Sequence, residues 1–154
     1  METLLKKTSG IFTKQLLIDL IGYAYVLLFL YAAIYKLMGF DLFTRQLAKS
    51  PLVGNNDQLL AVVIPAVELM IAGMLCYSLW QRIGLYLATV TMAVFAGYIA
   101  YVLLFAPNVP CACGGIFVSM GWMEHLLFNI GFMLAGILAI VLAERSSNKS
   151  HYMH

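Results

Sequence analysis

Residues 16–38 read LLIDLIGYAYVLLFLYAAIYKLM, an apolar run in which Asp19 and Lys36 are the only charged residues. At the 1.5 Å rise of an α-helix, a run of this length crosses the roughly 30 Å hydrocarbon core of a bilayer. It is longer than the apolar region of a signal peptide and continues into Lys36 instead of a small-residue cleavage site, so it reads as a retained helix. Three further runs of similar character follow, over about 59–79, 84–106 and 122–143. Helices are the form they must take, because lipid offers no water to an unpaired amide. The expected fold is therefore all-α: a polytopic bundle of four transmembrane helices, forming a single membrane domain over residues 1–154 with tails at 1–15 and 144–154.

Composition agrees. Of 154 residues, 63% are hydrophobic and 10% are charged, where a soluble domain carries about a quarter charged. So small a soluble domain could not bury that apolar surface. A net charge of +2 gives no reason to expect nucleic acid as a partner. Pro107 and Pro110 stop the third run, Trp80 and Trp122 suit membrane interfaces, and Pro65 lies inside the second run, where it removes one backbone donor.

Orientation follows from the distribution of basic residues. Lys6, Lys7, Lys14, Arg82, Arg145 and Lys149 fall on one side, and Lys36, Arg45 and Lys49 on the other. The positive-inside rule then puts both termini in the cytoplasm and residues 107–121 outside. Between the first two spans, Leu42, Phe43, Gln46 and Leu47 recur at helical spacing among Asp41, Arg45 and Lys49, which predicts a short interfacial amphipathic helix. It either caps the bundle or docks a partner. Gly131, Ala135, Ala139 and Ala143, and likewise Thr89, Ala93 and Gly97, form small-residue stripes that predict close helix packing.

Two features point to chemistry. The outer loop contains Pro110-Cys-Ala-Cys-Gly-Gly115, and Cys111 and Cys113 are two of only three cysteines. Thiols at this spacing can form a tight, easily exchanged disulfide, or bind a soft metal such as Cu(I) or zinc, with His125 as a further ligand. The plain alternative is two small residues in a turn. Cys76 reads as an inert packing residue. The second feature is Glu68, in mid-membrane, where a carboxylate costs several kcal/mol unless it is paired, protonated or wet. Counting helix rise, Glu68 lies roughly 13 Å below the outer edge, in the same outer half as Lys36, His125 and Asn129. His125 and Asn129 share a helix face one turn apart. Together they predict a polar pocket beneath the thiol pair, with Glu68 or His125 handling protons while Cys111 and Cys113 exchange electrons, and Lys36 and Asn129 completing the pocket. The alternative for Glu68 is a polar clasp between helices. Asp19, near the other interface, reads as simply solvated.

With these residues in hand, the chain resembles the DoxX/MauE group of four-helix membrane proteins, and its MauE-like branch in particular. The resemblance runs from about Ile18 to Ala143. It is carried by Tyr31-Ala-Ala-Ile-Tyr-Lys-Leu37, Phe43 and Leu47, Pro65-Ala-Val-Glu68, the Cys111–Cys113 segment, and Met120-Gly-Trp-Met-Glu-His-Leu-Leu-Phe-Asn129. It implies a bacterial inner-membrane location and a role in thiol–disulfide or electron-transfer chemistry. It also implies a periplasmic thioredoxin-like or secreted partner that is matured, and quinone among the cofactors of relatives. Disulfide-generating enzymes of the vitamin K epoxide reductase and DsbB types share the four-helix plan, but they relay electrons between two cysteine pairs. This chain has one Cys-x-Cys and no cysteine between residues 39 and 58, so a partner would have to supply the second pair. Three functions stay open from sequence: a thiol–disulfide oxidoreductase component, a non-catalytic subunit or anchor among other membrane subunits, and a copper- or zinc-handling protein.

Overall fold

The computed structural model describes residues 2–50, 53, 56–105 and 121–151, with side chains described for 13–50, 53, 56–105 and 121–145. Among the described residues every regular element is a helix: α1 (Glu2–Met38), α2 (Phe40–Ala48), α3 (Asp57–Cys76), α4 (Gln81–Phe105) and α5 (Trp122–His151). Four of them contain spans long and apolar enough to cross a bilayer: Thr13–Met38, Asp57–Cys76, Gln81–Phe105 and Trp122–Arg145. The chain is thus a multi-pass membrane protein, and the short amphipathic helix lies between the first two spans as expected. Both terminal helices run on past the predicted spans: residues 2–15 belong to α1, and α5 reaches His151. Backbone hydrogen bonding carries on where apolarity ends, which a hydrophobicity boundary does not see.

The four long helices form a square. α1 packs on α3 and α5, and α4 packs on the same two, while α3 and α5 occupy opposite corners. The α1 face turned inward is Ile18, Gly22, Tyr25, Phe29, Ala33 and Lys36, a three-and-four spacing that keeps one stripe on the seam. α3 contributes Ala61, Pro65, Glu68, Ile71, Ala72 and Leu75. Tyr25 and Phe29 are fully buried against Ile71, Leu85, Ala88, Met92 and Ala139. Within this core the Tyr25 hydroxyl donates to the Phe132 carbonyl at 2.6 Å, tying α1 to α5. Lipid tails are as apolar as these side chains, so dispersion and such hydrogen bonds carry the association.

Close approach is made by glycines outside the predicted stripes. A Cβ at Gly136 would collide with the Thr89 and Tyr25 hydroxyl oxygens, and one at Gly84 would lie 3.1 Å from the Leu75 amide nitrogen. By contrast Ala93, Gly97 and Gly131 are exposed. Every-fourth-residue spacing marks a face but does not say which neighbour it meets. The inward face of α5 follows His125, Asn129, Gly136 and Ala139 instead.

The α3–α4 turn at residues 77–80 lies at the bundle end where α1 begins and α5 finishes. α2 lies at the other end, together with Phe105 and Gly121, the described residues that flank the Cys111–Cys113 segment. The Tyr98 hydroxyl of α4 donates to Ser50 Oγ at 3.0 Å, which fastens the chain just after α2 to α4.

Candidate functional site

The inward stripe of α1 ends on a cation, and the stripe of α3 carries an anion at its middle. The square brings them together: Lys36 Nζ donates to Glu68 Oε1 at 2.6 Å, with the two residues 4% and 1% exposed. Lys36 is two residues from the end of α1, and its long stem carries the ammonium inward from there. Two rings face the ammonium, Phe43 of α2 and Phe95 of α4, each with its centroid at 5.8 Å. At this distance the quadrupole of each ring attracts the cation. Four elements therefore converge on one charge.

The carboxylate is only half answered. Glu68 Oε2 is buried and accepts no hydrogen bond from the described residues. In the membrane interior an ionised carboxylate needs donors for both oxygens, so this buried oxygen calls for a proton or a donor.

α2 shields the pair from above. Asp41 in its first turn and Arg45 in its last suit the helix dipole. Phe43 and Leu47 are buried with Val53 and Ala61, pressing α2 onto α3. Leu42, which shares the predicted apolar face, is exposed instead. α2 thus caps the bundle, and Phe43 is both its anchor and a wall of the ion-pair site. Between α2 and α3 an open groove of about 600 Å³ is lined by residues that include Asp41, Arg45 and Gln58.

On α5, His125 and Asn129 are 6% and 3% exposed. Asn129 Nδ2 donates to the His125 carbonyl at 2.9 Å, so the two are joined along the helix. The start of α5 is fixed by a capping contact: the Gly121 amide donates to Glu124 Oε2 at 3.1 Å. With Glu124 held outside, His125 turns inward. Both residues therefore lie on the bundle's inner face in the same half as Lys36 and Glu68, but on the helix diagonal to α3.

Of the predicted site residues, then, Lys36 and Glu68 meet directly, and His125 and Asn129 are buried on a facing element. Cys111 and Cys113 lie outside the described residues, as does the metal set built on them with His125. Among the described residues no three His, Cys, Asp or Glu side chains converge as a metal site. Two sequence expectations are corrected. Cys76 is exposed and not packed in the core. Asp19 is half-buried and accepts from Gln15 Nε2 at 3.0 Å and Gln81 Nε2 at 3.3 Å, because α1 passes close to the α3–α4 turn. Phe95 and Tyr98 went unread in the sequence. Phe95 carries no signal there, since an aromatic among aliphatics on a spanning helix looks like any other lipid-facing or core residue.

Compared with known protein families, residues 14–142 match the model of the family described as methylamine utilisation protein MauE. No curated protein and no solved structure matches the chain.

Proposed function

The chain belongs to the MauE family, and on that premise we propose that it is a membrane-embedded maturation factor whose Cys111–Cys113 pair exchanges disulfides with an extracytoplasmic protein. The family's description sets this in methylamine utilisation. In this reading the chain sits in the inner membrane, with both termini and the α3–α4 turn cytoplasmic and the α4–α5 connection periplasmic. Lys14, Arg82 and Arg145 at the first end support that orientation.

One observation carries the reading. Phe105 and Gly121, the described residues on either side of the stretch that holds Cys111 and Cys113, lie at the bundle end that also holds α2, and beneath that end Lys36, Glu68, His125 and Asn129 are all buried. A thiol pair at a membrane rim with a polar interior below it suits proton-coupled exchange. The partner's thiolate attacks one sulfur of the oxidised pair. The bond between Cys111 and Cys113 breaks, a mixed disulfide forms, and the released thiolate takes a proton. The partner's second thiolate then attacks the mixed disulfide, leaving oxidised partner and reduced chain. Two electrons and two protons have moved from partner to chain. A thioredoxin-like protein in its disulfide form takes them back by the same steps. His125 and Glu68 handle the protons, and Lys36 holds Glu68 in place.

The test is a redox titration of the purified protein carrying Cys76→Ala, equilibrated in thiol–disulfide buffers and quenched with a mass-tagging maleimide. The reading requires Cys111 and Cys113 to convert together, at one midpoint, between tagged and untagged forms. A pair that stays tagged under every oxidising buffer would contradict it.

A second reading, a non-catalytic subunit of a larger membrane complex, is favoured by the exposed small residues Ala93, Gly97 and Gly131, which leave backbone open to a neighbouring helix.

A further inference from the structure

At the bundle end away from α2, two cavities adjoin and share Ser78 and Gln81 as common walls. One, of about 190 Å³, lies between α1 and the α3–α4 turn and is lined by Asp19 and Tyr23. The other, of about 230 Å³, lies between α1, α4 and α5 and is lined by Gln15 and Arg82. One cavity thus carries a carboxylate and its neighbour a guanidinium.

Neither charge makes a salt bridge among the described residues. Among the described residues, Asp19 has no cation within 4.0 Å and Arg82 has no carboxylate within that distance. Glu144, on the facing part of α5, is engaged by the Tyr86 hydroxyl. Asp19 is held by two amides, but both donate to Oδ1, which leaves Oδ2 able to accept another donor. The paired cavities therefore present an acceptor with a full negative charge on one side of Gln81 and a fork of cationic donors on the other. The ligand that satisfies both at once is a zwitterion.

The position narrows its class. These cavities open where the spans end, beside Leu79 and Trp80, which are 88% and 54% exposed. A tryptophan exposed at the end of a span marks the headgroup level of a bilayer. The remaining walls include Ile18, Leu75 and Leu85, which are buried in the bundle, and the half-buried Ala143, so apolar packing backs both cavities. We propose that this pair of cavities is a binding site for the headgroup of an aminophospholipid, with Arg82 on the phosphate and Asp19 on the primary ammonium. A primary ammonium, with its three N–H donors, suits a site built from a carboxylate and a phenol hydroxyl. A quaternary ammonium has no N–H to donate and calls for an aromatic cage, which these walls do not form. A headgroup with a phosphate alone would set its charge beside Asp19. The inference does not depend on the cysteine reading, nor on which leaflet this end faces.

The test is native mass spectrometry of the full chain released from nanodiscs of equimolar phosphatidylethanolamine, phosphatidylcholine and phosphatidylglycerol. One phosphatidylethanolamine should survive activation that strips the other two. Asp19→Asn keeps an acceptor for both glutamine amides, so the fold is preserved, and it should lower phosphatidylethanolamine retention about tenfold, to the phosphatidylcholine level. Arg82→Gln, at an exposed position, should lower retention of all three lipids. Lys14→Gln, at the same end but outside both cavities, should change nothing. Soluble glycerophosphoethanolamine should fail to displace the lipid. Equal retention of the three lipids, indifference to both cavity variants, a loss with Lys14→Gln as large as with Arg82→Gln, or displacement by the soluble headgroup would each overturn the proposal.

Discussion

Lys36 Nζ and Glu68 Oε1, 32 residues apart in sequence, stand 2.6 Å apart inside the bundle, where each is all but closed to the surface. The pair closes the α1–α3 seam at its far end, and its value depends on both members. Removing one leaves a lone charge in a low dielectric. Breaking a buried pair in this way costs about 3–5 kcal/mol, while replacing both partners with apolar groups is often neutral. Lys36→Met and Glu68→Leu alone should therefore each destabilise the bundle by about 3 kcal/mol, and the double variant should recover most of that loss. Equilibrium unfolding in mixed micelles reads this cycle directly, and additive losses would mean that the two side chains are not coupled.

The Tyr25 hydroxyl bond to the Phe132 carbonyl is the polar stitch of the central core. Tyr25→Phe keeps the ring and removes the donor, so it should cost about 0.6–1.7 kcal/mol, the range for a hydrogen bond between membrane helices. The same unfolding assay would detect a loss of this size.

Glycine positions separate the packed face of α5 from its lipid face. Gly136 meets Thr89 and Tyr25, while nothing lies within 4 Å of a Cβ built at Gly131. Gly136→Val should therefore prevent correct packing or cost more than about 2 kcal/mol, as overpacking does. Gly131→Val should stay within about 0.5 kcal/mol of the parent, as substitutions away from contacts do. Comparable losses at the two positions would place the inward face of α5 wrongly.

The four spans and the amphipathic helix were legible because lipid imposes a length and an apolarity that a reader can measure along the chain. The polar cluster was legible too, because a lysine, a glutamate, a histidine and an asparagine inside otherwise apolar runs are conspicuous, and helix rise alone puts them in one half of the bundle. The particular partners were not. Sequence spacing ranked Gly131 and Gly97 with Ala139, although only the last is buried, since which stripe faces inward depends on the order of helices around the square. Asp19 looked like a solvated interfacial residue, because the amides that hold it include Gln81, 62 residues away. Phe95 reaches Lys36 across the α1–α4 diagonal, a relation with no local signature.

α2 should behave as a cap over the ion pair. Phe43 and Leu47 seat it on α3, and Leu42 points away. Phe43→Ala should speed amide hydrogen exchange through α2 and in the α3 turn around Ala61, and Leu42→Ser should leave both unchanged. Equal exchange in the two variants would mean that α2 is held by the membrane surface and not by the bundle.

The claim on which the functional account turns is that Cys111 and Cys113 pass through a covalent bond to another protein. The direct measurement is trapping in cells: each cysteine changed singly to serine, acid quench, alkylation and non-reducing electrophoresis of the tagged protein. The account predicts a reducible adduct with an extracytoplasmic, cysteine-containing protein in at least one single variant, lost when both cysteines are serine. No adduct in either variant, from cells whose partner proteins are expressed, would contradict disulfide exchange and leave the chain as a membrane subunit.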